Sequence, residues 1–312
     1  MGIAHWHEVE IHRRDLGNIR GAWQDLGRAA GSVYVGVRRI TLAPGEIPTP
    51  EHVHPVEEEI FYVLEGSGVS RQDGKTYEIG AGDCIVHVAM REAHTLRAGD
   101  EGLTVLAFGH RMRTPGAYLP NANRYWLSPT WTEVGQQPPP YEAEPELEWP
   151  EPIERPGNIV HHAAVEPDYD GEAGRWILMA RSAGSVRTGL NWGHLEPGRA
   201  GAHPHCHSAD EEIFVILEGG GTLELWPSPV RAETMERETH EVRAGHVVSR
   251  PPSTGIAHFF RAGDEGMTFL AYGTREPNDV CYYPRSNKIY WRGLGLIARL
   301  EPLGYDDGEP ED

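Results

Sequence analysis

Apolar residues along this chain come in short runs rich in Val, Ile, Leu, Phe and Tyr, and Gly, Pro, Asn and Asp close them off. Runs of that kind read as β-strands joined by turns rather than as helices. The run EEIFYVLEG at 58–66 returns as EEIFVILEG at 211–219, and RAGDEGLTVLAFG at 97–109 returns as RAGDEGMTFLAYG at 261–273. An offset of 153 residues also aligns Gly31-Ser32-Val33 with Gly184-Ser185-Val186, and Leu42, Pro44 and Gly45 with Leu195, Pro197 and Gly198. After an insertion in the second copy the offset becomes 164. The pattern therefore predicts an all-β chain that contains one fold twice.

Length agrees, because 312 residues suit two domains of about 120 to 150 residues, each large enough for its own core. The expected units are residues 1–135, a connector at 136–157 and residues 158–312. The connector, QQPPPYEAEPELEWPEPIERP over 136–156, mixes proline with glutamate and has no strand period, and YDDGEPED at 305–312 reads as an acidic tail. The net charge is −19, with 47 acidic against 28 basic residues, which argues against a nucleic-acid partner. No apolar stretch approaches the ~20 residues of a membrane helix. The start, MGIAHWHEVEIHRRD, lacks the apolar core of a signal peptide. Three cysteines, Cys84, Cys206 and Cys281, have no paired metal spacing and suit a reducing compartment, so a cytoplasmic location is expected.

The histidines carry the chemistry. His52-Val-His54 is followed by Glu59 and Gly66, and His205-Cys-His207 by Glu212 and Gly219 at the same spacing; His94 and His258 complete the two sets. On a strand, alternate side chains share a face, so an H-x-H pair aims two ring nitrogens at one point. A turn and a second strand bring the glutamate beside them, and the glycine reads as the turn that ends that strand. Three neutral nitrogens with one carboxylate oxygen suit a divalent first-row ion, with Fe(II) or Mn(II) first and Zn, Ni or Cu also compatible, one per domain. An isolated H-x-H is more often a packed or surface feature than a site. Retention of all four residue types in both copies favours ligation.

At these residues the chain resembles the bicupins, proteins of two tandem cupin barrels with the jelly-roll or double-stranded β-helix fold. Gly45 to Gly66 and Gly198 to Gly219 fit the family's first motif, and Gly245, Pro251, Gly255 and His258 fit its second. In the first copy Gly82 and His94 remain, while Arg91 replaces the second motif's later glycine. The resemblance implies a metal in each barrel, a small-molecule substrate and a tendency to form homo-oligomers, with no membrane partner. Its ligand set is similar to that of quercetin-cleaving and acireductone-cleaving cupins, which implies a dioxygenase first, with Glu59 or Glu212 as ligand and proton acceptor. A redox-neutral Mn- or Zn-dependent decarboxylase, isomerase or aminohydrolase is the alternative, and a non-catalytic binding cupin the third reading. Oxalate decarboxylases place an arginine three residues before the first ligand histidine; here Thr49 and Ala202 stand there.

Other residues were weighed for the cavities. Val33, Val35, Val37, Arg39 and Thr41 share one strand face, matched by Val186, Thr188, Leu190, Trp192 and His194. If that face turns inward, Arg39 and Trp192 line the two cups; the alternative is that Arg39 reaches the rim and Trp192 fills core. His203, two residues before His205, is a candidate for substrate or proton handling if the strand already runs extended there. His5, His7 and His12 read as surface, and His87 and His110 as structural.

Overall fold

The computed structural model describes residues 2–111, 115–127, 130–132, 145–301, 303–304 and 306–308. Two eight-stranded antiparallel sheets dominate it. The first runs Ile159–His161, Asp83–His87, Glu59–Gln72, His94–His110, Val35–Leu42, Ile19–Asp25, His12–Leu16, with Lys75–Gly80 paired to Glu59–Gln72. The second repeats that order as Ile3–His5, His246–Arg250, Glu212–Pro227, Ile256–Thr274, Thr188–Leu195, Gly174–Ile177, Tyr169–Gly171, with Glu238–Arg243 paired to Glu212–Pro227. Two smaller sheets, Gly116–Leu119 with Arg124–Leu127 and Thr130–Thr132, and Cys206–His207 with Val280–Tyr283, Lys288–Trp291 and Leu296–Arg299, complete the strands. No helix among the described residues is long and apolar enough to cross a membrane.

The long strands are buried on both faces, which is why their apolar runs are continuous rather than alternating. Phe61 and Val63 point into the first barrel with Ile40, Leu42, Val105 and Leu96. Ile60 and Tyr62, one residue out of phase, join a core between the barrels that includes Val35, Val37 and Phe108 from the first half and Leu190, Ile213, Val215 and Tyr272 from the second. Phe108 and Tyr272 meet there with ring centroids 5.1 Å apart. Phe214, Ile216, Val248, Phe260 and Phe269 fill the second barrel.

Two features depart from the sequence expectation. Gly66 and Gly219 are not turns: both sit inside long strands, beside register shifts. Each has positive φ, and a Cβ there would lie 2.2 Å from a carbonyl oxygen, of Gly102 or Gly266, so the strand partner approaches too closely for any other residue. The halves also exchange edge strands across the expected boundaries. Ile3–His5, at the start of the chain, pairs with His246–Arg250 of the second sheet, and Ile159–His161 pairs with Asp83–His87 of the first. Within the connector, residues 136–144 lie outside the described residues, while Glu148 and Pro150 accept hydrogen bonds from Arg71 and Thr76 of the first barrel.

The exchange makes a prediction. Deleting residues 1–7 removes the strand opposite Val247 and Val248 and the contacts of Ala4 and Trp6 with the inter-barrel core. A loss of about 2–3 kcal/mol is expected from the apolar surface exposed. Amide exchange should rise first in His246–Arg250, and unchanged protection there would show that the pairing contributes nothing.

Candidate metal centres

In the first cup, Glu59 opens its strand and His94 opens another, while His52 is held against His94 by a reciprocal backbone pair, at 3.1 and 2.9 Å. That bridge puts the first histidine beside the last. Glu59 Oε2 lies 3.5, 3.4 and 3.1 Å from Nε2 of His52, His54 and His94. One ligand atom from each of the four lies within 4.8 Å of every other. The second cup follows the same plan more loosely: Glu212 Oε2 lies 3.8, 3.4 and 3.2 Å from Nε2 of His205, His207 and His258, but the 4.8 Å grouping takes in His205, Glu212 and His258, while His207 groups with Cys281 and His205 or with Asp210 and Asp279.

The outer ring nitrogens explain the orientation of five of the six histidines, while His258 Nδ1 is buried without a partner. His52 Nδ1 donates to Pro50 O at 2.9 Å, His54 Nδ1 to Gly116 O at 3.1 Å, and His94 Nδ1 to Glu92 O at 3.3 Å. His205 Nδ1 donates to His203 O at 2.7 Å and His207 Nδ1 to Asp279 Oδ2 at 2.7 Å. A proton held on Nδ1 leaves the Nε2 lone pair facing inward, the tautomer a metal needs. In the second cup Nε2 of His207, Nε2 of His258 and Oε2 of Glu212 are buried with no hydrogen-bond partner. Each such group carries a desolvation cost of about 1–3 kcal/mol. Three at one point fit a site built for a cation, and nitrogen with carboxylate oxygen fits a divalent first-row ion.

Burial pushes His94 and His258 down to about 3. Burial would also depress His54, but Glu59, Glu57 and the Gly116 carbonyl outweigh it and hold His54 up at about 9. For His207, burial is outweighed by Glu212 and Asp279, which push it up to about 10. Both glutamates resist burial and stay well below the usual carboxylate range because of the imidazoles around them. Without metal, His54 and His207 therefore hold a proton at neutral pH, and an ion must displace it. Because both pKa values are raised, affinity is expected to climb with pH, about tenfold per unit, until pH passes about 9 in the first cup and about 10 in the second. Calorimetry in buffers of different ionisation heat should find about one proton released per ion at pH 7; pH-independent affinity would contradict this.

The three candidate cavity residues lie elsewhere. Arg39 reaches the Trp6 ring, 5.2 Å from its centroid, and Gln24, at 3.3 Å. Trp192 stacks on His162, with centroids 5.2 Å apart, and packs against the inter-barrel core. The apolar strand face that suggested a cup lining is the face buried against the other barrel; Ile40 and Leu42, on the opposite face, point into the cup. His203 is exposed and acts through its carbonyl on His205.

Sequence reasoning missed four groups. His87, opposite Glu59 in register, stacks on His94 with centroids 3.7 Å apart and planes 1° from parallel. Arg250 is its counterpart opposite Glu212. Asp279 orients His207 where the first cup uses a backbone carbonyl. Cys281, opposite His207 in register, brings a sulfur within 4.8 Å of a ring nitrogen of both His205 and His207.

A further pair of glutamates lies beside the ligands. Glu58, next to Glu59, crosses to the second barrel and accepts from the amides of Val186, Arg187 and Thr188 and the hydroxyls of Ser185 and Thr188. Glu211, next to Glu212, crosses the other way to the amides of Val33, Tyr34 and Val35. The repeated Glu-Glu dipeptide was the available signal.

Comparison with known proteins agrees with this architecture. Residues 38–109 match the cupin domain family. In fold the chain is a bicupin, two cupin barrels joined back to back. The oxalate decarboxylase of Lactobacillus farciminis, solved as a formate complex, is 17% identical and superposes with a TM-score of 0.60 over 88% of this chain and 86% of that one. The Bacillus subtilis oxalate decarboxylase at pH 4.6 is 18% identical, with a TM-score of 0.59 over 87% of this chain and 75% of that one. Another structure of the Bacillus subtilis enzyme, described by its Mn(II) centres, gives 17% identity and a TM-score of 0.58 over 87% and 76%. No curated protein sequence matches the chain at significance.

Proposed function

We propose that this protein is a metal-dependent bicupin enzyme acting on a small organic acid, with Mn(II) the first ion to test and non-oxidative loss of carbon dioxide the first reaction class. The three unpartnered donor atoms converging in the second cup carry the reading. His52, His54, Glu59 and His94 would hold an ion in the first cup, and His205, His207, Glu212 and His258 in the second. A divalent ion supplies Lewis acidity to a substrate oxygen. With three neutral imidazoles and one carboxylate around it, the centre keeps a net charge of about +1, which attracts an anion. The residues of the chain fix the rings, through Asp279 and the Gly116 and His203 carbonyls.

The dioxygenase expected from the donor set has that donor set alone in its favour. The oxalate decarboxylase structures named above resemble the chain over most of its length, which favours the redox-neutral alternative. Thr49 and Ala202 leave both cups without the arginine expected of an oxalate enzyme, so oxalate is not the proposed substrate. The test is to load Mn(II), offer a panel of small organic acids and follow carbon dioxide and dioxygen together. Carbon dioxide release without stoichiometric oxygen uptake supports the proposal; uptake matching turnover would replace it with the oxygenase.

A further inference from the structure

The second cup contains a charge that metal binding does not explain. Arg250 ends the strand His246–Arg250, directly opposite Glu212 in the sheet register, and is 5% exposed. One terminal nitrogen donates to Ile256 O at 2.6 Å, while Nε is buried with no acceptor. Among the described residues no carboxylate pairs with this guanidinium, and Glu212 Oε2 faces the imidazoles instead. Arginine does not discharge in proteins, so burial leaves a guanidinium that Glu212 and Glu238 offset only from a distance, without a direct ion pair. Such a group costs several kcal/mol unless an anion accompanies it.

At the matching register position the first cup has no cation. Opposite Glu59 stands His87, an imidazole pushed down to about 3 by burial and held by Glu92 at 2.8 Å. At this register position, opposite the ligand glutamate, the fixed cation is found in the second cup. Arg250 also lines a cavity of about 420 Å³ whose walls include Ile3, Leu223, Leu225, Val248 and Ile256. Glu236, Glu238 and His240 also line it, and Glu238 pairs with His240 at 2.9 Å. None of the four candidate ligands lines this cavity, and its size is in the range that encloses a small organic ligand.

We infer that the second cup is built for an apolar monocarboxylate: Arg250 takes the carboxylate, the cavity takes the hydrocarbon body, and the acid is held beside Glu212. A planar guanidinium with an unpaired Nε–H matches a carboxylate edge, whereas a cavity lined by apolar side chains and the carboxylates of Glu236 and Glu238 disfavours the second charge of a small diacid such as oxalate. The inference deepens the metal-dependent reading of this cup, and its test separates the two.

Titration calorimetry of the full chain, metal-free and Mn(II)-loaded, with benzoate, formate and benzamide is the direct test. One benzoate per chain is expected, bound at least about tenfold more tightly than formate, which lacks the body, or benzamide, which lacks the charge. Arg250→Met should weaken benzoate by about 10–100-fold, since a hydrogen-bonded charge is worth about 1.5–3 kcal/mol. A buried charge replaced by a well-packed apolar side chain usually folds. Should it not, Arg250→Lys keeps the charge without the planar fork and should weaken benzoate less. Leu225→Trp, which fills the cavity, should weaken benzoate and spare formate. Benzoate binding equal in wild type and Arg250→Met, or none in folded, metal-loaded protein, would overturn the inference. Arg250-dependent binding by a protein that takes up no metal would uphold it and remove the metal reading instead.

Discussion

Alanine at His205 and His207 is expected to empty the second cup and leave the first loaded. Both side chains converge on Glu212, and the potential ligands beside them, Cys281, Asp210 and Asp279, group with the very histidines that are removed. If a four-ligand site is worth about 10–16 kcal/mol, two ligands account for roughly half, a loss on the order of 10⁴-fold in affinity or more. Elemental analysis after dialysis should fall from two ions per chain to one, and His52→Ala with His54→Ala should do the same from the other side. The strands of the barrel do not depend on these side chains, so circular dichroism should stay unchanged. Unaltered metal content in either variant would refute the assignment for that cup.

The second large effect concerns stability. Glu58→Ala is expected to cost about 3–5 kcal/mol. The carboxylate is 2% exposed and accepts from three backbone amides and two hydroxyls of the other barrel, and alanine leaves those donors without their acceptor in a dry interface. Glu211, fully buried, occupies the matching place for Val33, Tyr34 and Val35, so Glu211→Ala should be comparable. Urea unfolding measures both. A change under about 1 kcal/mol would mean that water replaces the carboxylate and that the crossing contacts are incidental. Glu58→Gln keeps the shape and one acceptor, and should fall between alanine and wild type.

Much of this architecture was legible because chemistry and periodicity coincided. His52, His54, Glu59 and His94 could be read as one set because the second copy repeats them; those four lie within 4.8 Å of one another, and in the second cup Glu212 lies 3.8, 3.4 and 3.2 Å from His205, His207 and His258. The faces of the strands could not be read the same way. In a back-to-back pair of barrels the outer face of a strand is as apolar as the inner, so Val35 and Val37 looked like a cup lining while they pack against the other barrel. Arg39 and Trp192 were carried to the wrong side by that ambiguity. The strand exchange was illegible for a different reason: Ile3–His5 is three residues long, and its partner lies more than 240 residues away. Arg250 and Asp279 fall where the two copies differ, and so gave no repeat to follow, although it is there that the cups acquire separate characters.

The account rests on an ion seated by three imidazoles and a carboxylate in each barrel. Anomalous diffraction from crystals of the Mn(II)-loaded protein measures that directly. The expected map has one peak in each cup, about 2.0–2.3 Å from the inner nitrogens of His52, His54 and His94 or of His205, His207 and His258, with Glu59 or Glu212 completing the set. A protein that crystallises with this fold but shows no peak among those side chains, or carries its manganese elsewhere, would contradict it.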